Sequence, residues 1–309
     1  MKKAVILFSG QGAQFDGMGL DFYQADPDFQ AGIARATQLT GLPLLKIFQN
    51  SQQASTLELQ PALTAFAYNV YQLLARDLKL EVGGALGLSL GEYPALIASR
   101  ALSEQAGLEL VKKRAQYMEA EVAQKPGAML AVLKPELAEL ERLCVKCSTP
   151  EEGVWIANYN APKQVVVGGH KLAVDRLAQA LAAANKKVIA LNVAGAFHTP
   201  LFSTSEQQLK QAVVQIEWQE PGFTVFSNTI EAPFTKANLA QILPRQVAAP
   251  THFATCLSQI VAQEKPDVLL EIGPGDALSK FARQIAKKIP RYRLDTWEHY
   301  QATLAELRN

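Results

Sequence analysis

A serine between two glycines, in the segment Gly-Leu-Ser-Leu-Gly at residues 87–91, places the strongest restriction on the fold. This segment follows the apolar run 82–86 and precedes a helical pattern that starts at Glu92. Such a strand–turn–helix junction is a nucleophile elbow, in which the glycines permit a sharp turn that exposes the Ser89 hydroxyl. The helix start offers unpaired N–H groups to a developing oxyanion. Because these five residues alone also fit an ordinary turn, the rest of the chain must decide whether Ser89 is a nucleophile.

Short apolar runs alternate with longer helical patterns along the whole chain, which is typical of an α/β protein. The apolar runs predict strands over 4–8, 82–86, 128–133, 154–157, 165–167, 188–193, 224–227 and 268–271. The helical patterns predict helices over 61–78, 89–98, 103–121, 135–144, 171–185, 203–215 and 277–288.

One block of the chain, from about residue 124 to 193, reads strand, helix, strand, strand, helix, strand. This is the order of a ferredoxin-like unit. A Lys-Pro-Gly turn at 125–127 marks its start, and Gly195 follows its end. We therefore expect a larger α/β core made of residues 1–124 and 195–309, with a ferredoxin-like subdomain of residues 125–194 inserted into it. A cleft between the two units is the expected place for chemistry.

Composition excludes several classes of function. The 309 residues are 49% hydrophobic and 19% charged, with a net charge of +1, which gives no reason to expect nucleic acid or an anionic membrane as a partner. The N-terminal apolar run suits a buried strand better than a signal peptide, and no run is long enough to cross a bilayer. We expect a cytoplasmic monomer. The three cysteines, Cys144, Cys147 and Cys256, do not suggest a disulfide framework, and the Cys144/Cys147 pair lacks further ligands for a metal.

A serine nucleophile needs a base, and the chain contains four histidines. His198 is the best candidate, because it lies in a Gly/Ala-rich loop where the subdomain would rejoin the core. A lone histidine in such a loop is also compatible with a structural role. His170 is expected to cap a helix or lie on the surface, and His299 to lie in a polar C-terminal tail.

The chain offers no obvious acid to complete a triad. Between Ser89 and His198 the only aspartate is Asp175, which falls on a predicted helix of the subdomain rather than at the end of a core strand. This pattern favours a Ser–His dyad whose imidazole is oriented by a group other than a carboxylate. The Gly-Gln-Gly turn at 10–12 is not a dinucleotide fingerprint, because Phe15 occupies the position of the third glycine.

Taken in order, the motifs resemble those of the malonyl-CoA:acyl carrier protein transacylases and of the acyltransferase domains of polyketide synthases. The matching features cover essentially the whole chain: Gly-Gln-Gly-x-Gln at 10–14, the elbow at 87–91, Arg114, His198, Asn-x-Asn-x-Pro-x-Gln at 158–164 and Glu-x-Gly-Pro-Gly at 271–275. The resemblance implies a hydrolase-like α/β core with a ferredoxin-like subdomain. Alone, Arg114 would be read as a solvated charge on a helix.

The resemblance also assigns roles to residues. It implies that Ser89 and His198 are catalytic, that the backbone N–H groups of Gln11 and Leu90 form the oxyanion hole, and that Arg114 pairs with a malonyl carboxylate.

Further positions bear on specificity and orientation. Phe197, just before the histidine, is similar to the residue found in malonyl-selective members. A main-chain carbonyl in the segment 245–253, at or near His252, is expected to orient the catalytic imidazole. Leu88 stands where the family has a histidine, a departure that we expect to tune activity rather than abolish it.

The function implied by the resemblance is malonyl transfer from malonyl-CoA, a CoA thioester, to the phosphopantetheine thiol of an acyl carrier protein for fatty acid or polyketide extension. No cofactor of the enzyme's own is expected, since the phosphopantetheine belongs to the carrier protein. A basic run over 279–293 is a candidate carrier-protein surface, and it also fits a solvated helix face. Two alternatives stay open: an acyl-thioester hydrolase using the same pair, and a non-catalytic docking subunit.

Overall fold

The computed structural model describes residues 1–193 and 195–308. Its strands are β1 Lys3–Phe8, β2 Glu81–Gly87, β3 Gly127–Leu133, β4 Val154–Ala161, β5 Gln164–His170, β6 Val188–Ala190, β7 Thr224–Ser227, β8 Ala232–Pro233, β9 Val268–Ile272 and β10 Arg291–Leu294. Its α-helices are α1 Leu20–Ala25, α2 Pro27–Thr40, α3 Leu44–Gln49, α4 Thr56–Asp77, α5 Glu92–Ala98, α6 Glu104–Gln124, α7 Leu137–Cys147, α8 Lys171–Ala183, α9 Ser203–Ala212, α10 Leu239–Ile242, α11 Phe253–Glu264, α12 Ala277–Ile285 and α13 Trp297–Arg308. Short 3₁₀ turns cover Ser89–Gly91, Pro200–Phe202 and Leu243–Ala248.

The larger sheet has the strand order β10-β9-β1-β2-β7-β8, with all neighbours parallel except the β7/β8 pair. Its central strands β1, β2 and β9 are mostly apolar and carry buried residues on both faces, which helices cover. Phe8 pairs with Gly87, so strands β1 and β2 end level with each other. The loops that follow, 9–14 and 88–91, therefore leave the same carboxyl edge side by side, where α/β proteins place their ligands.

The smaller sheet is antiparallel, with the order β4-β5-β3-β6. Helices α7 and α8 pack on one of its faces through a separate apolar cluster. With its chain order of strand, helix, strand, strand, helix, strand, this unit has the arrangement of a ferredoxin-like motif. We propose that it is the inserted subdomain expected over residues 125–194; the last residue of that range, Ala194, lies outside the described residues.

The predicted strands are all present, with shifted ends. Strand β4 continues to Ala161, and β6 ends at Ala190 instead of residue 193. Helix α4 begins at Thr56 rather than residue 61, because Ser55 and Glu58 form a capping box ahead of Pro61. The predicted helix at 89–98 is a 3₁₀ turn followed by α5. Edge strands β8 and β10 were not predicted, since they are short and weakly apolar.

No helix within the described residues combines the length and the apolar character needed to cross a bilayer.

Candidate active site

The turn after β2 holds Ser89 in a strained backbone conformation. Its φ is 52°, in the left-handed region that residues other than glycine rarely adopt. The turn is tight enough that a Cβ on Gly87 would lie 2.0 Å from the carbonyl carbon of Gly91. The two glycines thus let strand and helix approach, and the nucleophile elbow expected from the sequence has the required geometry.

His198 bridges Ser89 and a main-chain carbonyl. Its Nε2 lies 2.7 Å from Ser89 Oγ, and its Nδ1 lies 2.8 Å from the carbonyl oxygen of Gln246. Because a carbonyl can only accept, Nδ1 carries the hydrogen and Nε2 is free to accept the serine proton. Burial, together with the charge of Arg114, lowers the pKa of His198 to about 4, which keeps the imidazole neutral near pH 7.

The orienting carbonyl was predicted in the segment 245–253, at or near His252; the segment is correct, but the residue is wrong by six positions. The acceptor of the ring Nδ1 is the Gln246 carbonyl, in the 3₁₀ turn at residues 243–248. The next carbonyl of that turn, that of Val247, accepts the backbone N–H of His198 at 3.0 Å. The His252 ring stacks instead on Tyr159, with centroids 4.7 Å apart.

Arg114 is buried, not a solvated charge, with 1% of its surface exposed. Its NH1 donates to Gln60 Oε1 at 2.6 Å, and its NH2 donates to Gln246 Oε1 and to Ser89 Oγ, both at 3.1 Å. Among the described residues no carboxylate forms an ion pair with it. The guanidinium also lies over the Tyr93 ring, 5.5 Å from its centroid, so the groups that it contacts are neutral. Burying a guanidinium without an anionic partner is costly.

The residues expected to form the oxyanion hole lie at the same edge of the sheet. A Cβ on Gly10 would come within 2.6 Å of the Leu88 carbonyl oxygen and 3.9 Å of the Leu90 nitrogen, so the two loops touch. Gln11, the next residue, accepts a 3.3 Å hydrogen bond from Gln60 through its side chain. Gln60 therefore connects this loop to the guanidinium of Arg114.

A cavity of about 220 Å³ runs between the two sheets. The larger unit contributes Gly10, Gln11, Gly12, Gln14, Gln60, Leu88, Ser89, Leu90, Arg114 and Met118, and the smaller sheet contributes Met129, Asn158, Asn160 and Val166. Residues 191–193, Phe197 and His198 complete the lining. The cleft expected between the two units is thus present, and it contains Ser89, His198 and Arg114.

The remaining histidines and the cysteines are elsewhere. His170 is the N-cap residue of α8, as expected, but its ring accepts the Gly153 N–H at 2.9 Å instead of a helix N–H. His299 lies on α13, the C-terminal helix, 2.7 Å from Asp295. The cysteines are buried and unpaired. Within the described residues, no group of three potential metal ligands comes together.

Four polar residues of this site were not singled out from the sequence: Gln60, Glu92, Asn228 and Gln246. Each is buried, and each is joined to the others or to Arg114 by hydrogen bonds. The sequence feature that could have indicated such a residue is a single polar residue inside an apolar run, as in Leu59-Gln60-Pro61-Ala62.

A nucleophile elbow at the carboxyl edge of a parallel sheet, with a histidine on the serine oxygen, defines a class of proteins that act on acyl groups. Comparison with known proteins narrows this class. The model of the acyl transferase domain family matches residues 5–298. The chain therefore belongs to the acyl transferase family.

Individual relatives agree over nearly the full length. The malonyl CoA-acyl carrier protein transacylase of Staphylococcus aureus strain MRSA252 is 29% identical, covering 96% of this chain and 97% of the relative. The Bacillus subtilis protein of the same name is 31% identical, covering 94% and 92%. The crystal structure of the Streptococcus pneumoniae protein MCAT superposes with a TM-score of 0.92 at 35% identity, covering 98% and 100%. A malonyl-transacylase in complex with its type II PKS acyl carrier protein superposes with a TM-score of 0.93 at 26% identity, covering 98% and 99%.

Proposed function

We propose that this acyltransferase moves a malonyl group from malonyl-CoA to the phosphopantetheine thiol of an acyl carrier protein, through a malonyl ester on Ser89. The observation that carries this proposal is the buried Arg114, which contacts the Ser89 oxygen and has no carboxylate partner among the described residues. An acyl group with a free carboxylate at its far end would supply the missing anion when its thioester carbon is at Ser89. The names of the relatives identify malonyl as that group.

The first half-reaction acylates the enzyme. His198 Nε2 accepts the Ser89 proton as Oγ attacks the thioester carbonyl carbon, and the backbone N–H groups of Leu90 and Gln11 receive the oxyanion. The tetrahedral intermediate collapses with cleavage of the C–S bond. The leaving CoA thiolate takes the proton from His198, which returns the imidazole to its neutral state.

The second half-reaction repeats these steps with the carrier protein. Its phosphopantetheine thiol gives its proton to His198 and attacks the malonyl ester, and the Ser89 oxygen recovers the proton as it leaves. The phosphopantetheine is supplied by the carrier protein, and the steps on the enzyme use only its own side chains and main chain. Phe197, on the cavity wall, is the residue we expect to limit the acyl group to malonyl.

A cationic surface next to the cavity supports a carrier protein as the acceptor. The loop that leads into α12 touches the Gly10–Gln14 turn, since a Cβ on Gly275 would lie 3.0 Å from the Ala13 Cβ. Beyond that loop, the exposed cations are Lys280, which forms an ion pair with Asp276 at 2.7 Å, and then Arg283, Lys287 and Lys288. Acidic carrier proteins would be attracted to this face.

The deciding experiment is intact-mass analysis after incubation with malonyl-CoA, with and without a phosphopantetheinylated carrier protein. We expect a malonyl adduct on Ser89 that persists in buffer and is discharged by the carrier protein. Discharge by water alone, with no malonyl carrier protein formed, would select the hydrolase. If no adduct forms at all, the chain is a non-catalytic docking protein.

A further inference from the structure

Glu92 is a buried carboxylate that the proposed mechanism does not use. It is the first residue of α5, three positions after Ser89, and none of its surface is exposed. Its Oε1 accepts hydrogen bonds from the backbone N–H of Asn228 at 2.6 Å and from Asn228 Nδ2 at 2.9 Å. Its Oε2 accepts a short hydrogen bond from Gln246 Nε2. Donors meet both oxygens, which is the arrangement that suits a carboxylate.

Gln246 links this carboxylate to Ser89, His198 and Arg114. Its two amide hydrogens point to Glu92 and to the Ser89 carbonyl, 2.8 Å away, while its Oε1 accepts from Arg114 at 3.1 Å. Its backbone carbonyl accepts from His198 Nδ1. If the amide were turned by 180°, its oxygen would face two acceptors and its NH₂ would face the guanidinium. The carboxylate, together with the Ser89 carbonyl and the guanidinium, therefore determines which way the Gln246 amide points.

We propose that Glu92 is a positioning residue, which fixes the Gln246 amide so that Gln246 can hold the Arg114 guanidinium in place for the substrate carboxylate. This inference rests on the proposed function, because it concerns the same site. Glu92 does not line the cavity, so its effect on Arg114 is exerted through Gln246.

The test is the isosteric change Glu92→Gln, assayed at pH 8 with malonyl-CoA and with acetyl-CoA. The new amide keeps an oxygen for Asn228, but its NH₂ then faces the NH₂ of Gln246, so Gln246 loses its hydrogen bond to residue 92 and its hold on Arg114 is weakened. We expect kcat/KM for malonyl transfer to fall roughly 10- to 100-fold, with a much smaller fall for acetyl transfer. In a Gln246→Ala background, which keeps the carbonyl for His198, the same change at residue 92 should have little further effect.

A matched control is Glu271→Gln. Glu271 is equally buried and accepts the N–H groups of Leu278 and Ser279 at 2.9 and 2.7 Å, but no hydrogen bond joins it to Gln246 or Arg114 in the described part of the chain. This variant should lose stability and keep the wild-type ratio of malonyl to acetyl transfer.

The inference is overturned if Glu92→Gln lowers malonyl and acetyl transfer equally, or if its effect is unchanged in the Gln246→Ala background. If Glu92→Gln does not fold, Glu92→Asp replaces it: the shorter side chain keeps the charge but withdraws it from Gln246, and the same selective loss is expected. The wild type is assayed first. A wild type that forms no malonyl-Ser89 refutes the proposed function, whereas an active wild type with an unselective residue-92 variant refutes only the role of Glu92.

Discussion

Removing the guanidinium of Arg114 should reverse the acyl preference of the protein rather than simply inactivate it. A bidentate pair between a buried arginine and the malonyl carboxylate loses about 2–5 kcal/mol when one partner is removed. Malonyl transfer by Arg114→Ala should therefore fall roughly 30- to 5,000-fold. The acetyl group has no carboxylate, so acetyl transfer loses no ion pair in this variant. The variant also removes the buried charge of Arg114, which a neutral acyl group cannot compensate.

The hydrogen bond from Arg114 to Ser89 limits how much acetyl transfer can be lost in Arg114→Ala. Arg114 gives Ser89 one hydrogen bond, 3.1 Å long, and a single such bond contributes about 0.5–1.5 kcal/mol. Acetyl transfer should accordingly hold to within about tenfold, or rise, so the loss on malonyl exceeds any loss on acetyl.

Initial rates of acyl transfer to the carrier protein, measured with both CoA thioesters on wild type and variant, check this expectation. The rate of malonyl transfer by Arg114→Lys should lie between those of the wild type and Arg114→Ala, because lysine keeps the charge without the planar fork. Lys113→Ala, on the exposed face of the same helix, is the matched control and should change neither rate. Equal losses on malonyl and acetyl would show that Arg114 only supports the fold and that the dicarboxylate assignment is wrong.

Further tests address the other groups of the site. Ser89→Ala should form no covalent malonyl adduct by intact mass; an adduct mapped to another serine or to a cysteine would refute the nucleophile. His198→Ala should slow acylation by about 10²- to 10⁴-fold with an unchanged circular dichroism spectrum, whereas His252→Ala should stay near wild type. The reverse ranking would mean that the wrong histidine was chosen. Burial raises the pKa of Glu92 to about 7, so the pH dependence of acylation is best measured in Glu92→Gln, which lacks this acid. The acylation rate of that variant should fall only as the pH drops toward about 4, because His198 must be neutral to accept a proton. A midpoint near 6.5 in that pH profile would contradict the lowered pKa of His198. Arg283→Glu should raise the KM for the carrier protein severalfold, more so at low salt, and leave acylation by malonyl-CoA unchanged; an unaltered KM would remove this cation from the docking surface.

The sequence predicted the parts of the site that depend on local pattern. The elbow at Ser89 follows from glycine spacing between a strand and a helix, and His198 stood out because its loop of small residues joins two units. What failed were features that depend on contacts between distant segments. Which carbonyl faces His198 Nδ1 depends on how the 3₁₀ turn at residues 243–248 packs against the loop after β6, and no local pattern reports that packing.

Burial of a single charge is equally hard to read from a sequence. Arg114 lies on α6 beside two lysines, and on the sequence alone it resembled them. Its burial arises because α4 and the 3₁₀ turn at 243–248 each bring a glutamine to it, from 54 residues before and 132 residues after. The shape of the cleft depends on the same kind of long-range contact.

The left-handed backbone at Ser89 has a consequence for the choice of nucleophile. A threonine hydroxyl offers the same chemistry as that of serine, and threonine serves as a nucleophile in other enzymes. Yet a β-branched side chain at a φ near 52° is a severe outlier, because its second γ atom crowds the backbone. Even Ser89→Thr, a change of one methyl group, should therefore distort the turn. At this position the peptide backbone, rather than the reactivity of the hydroxyl, excludes threonine.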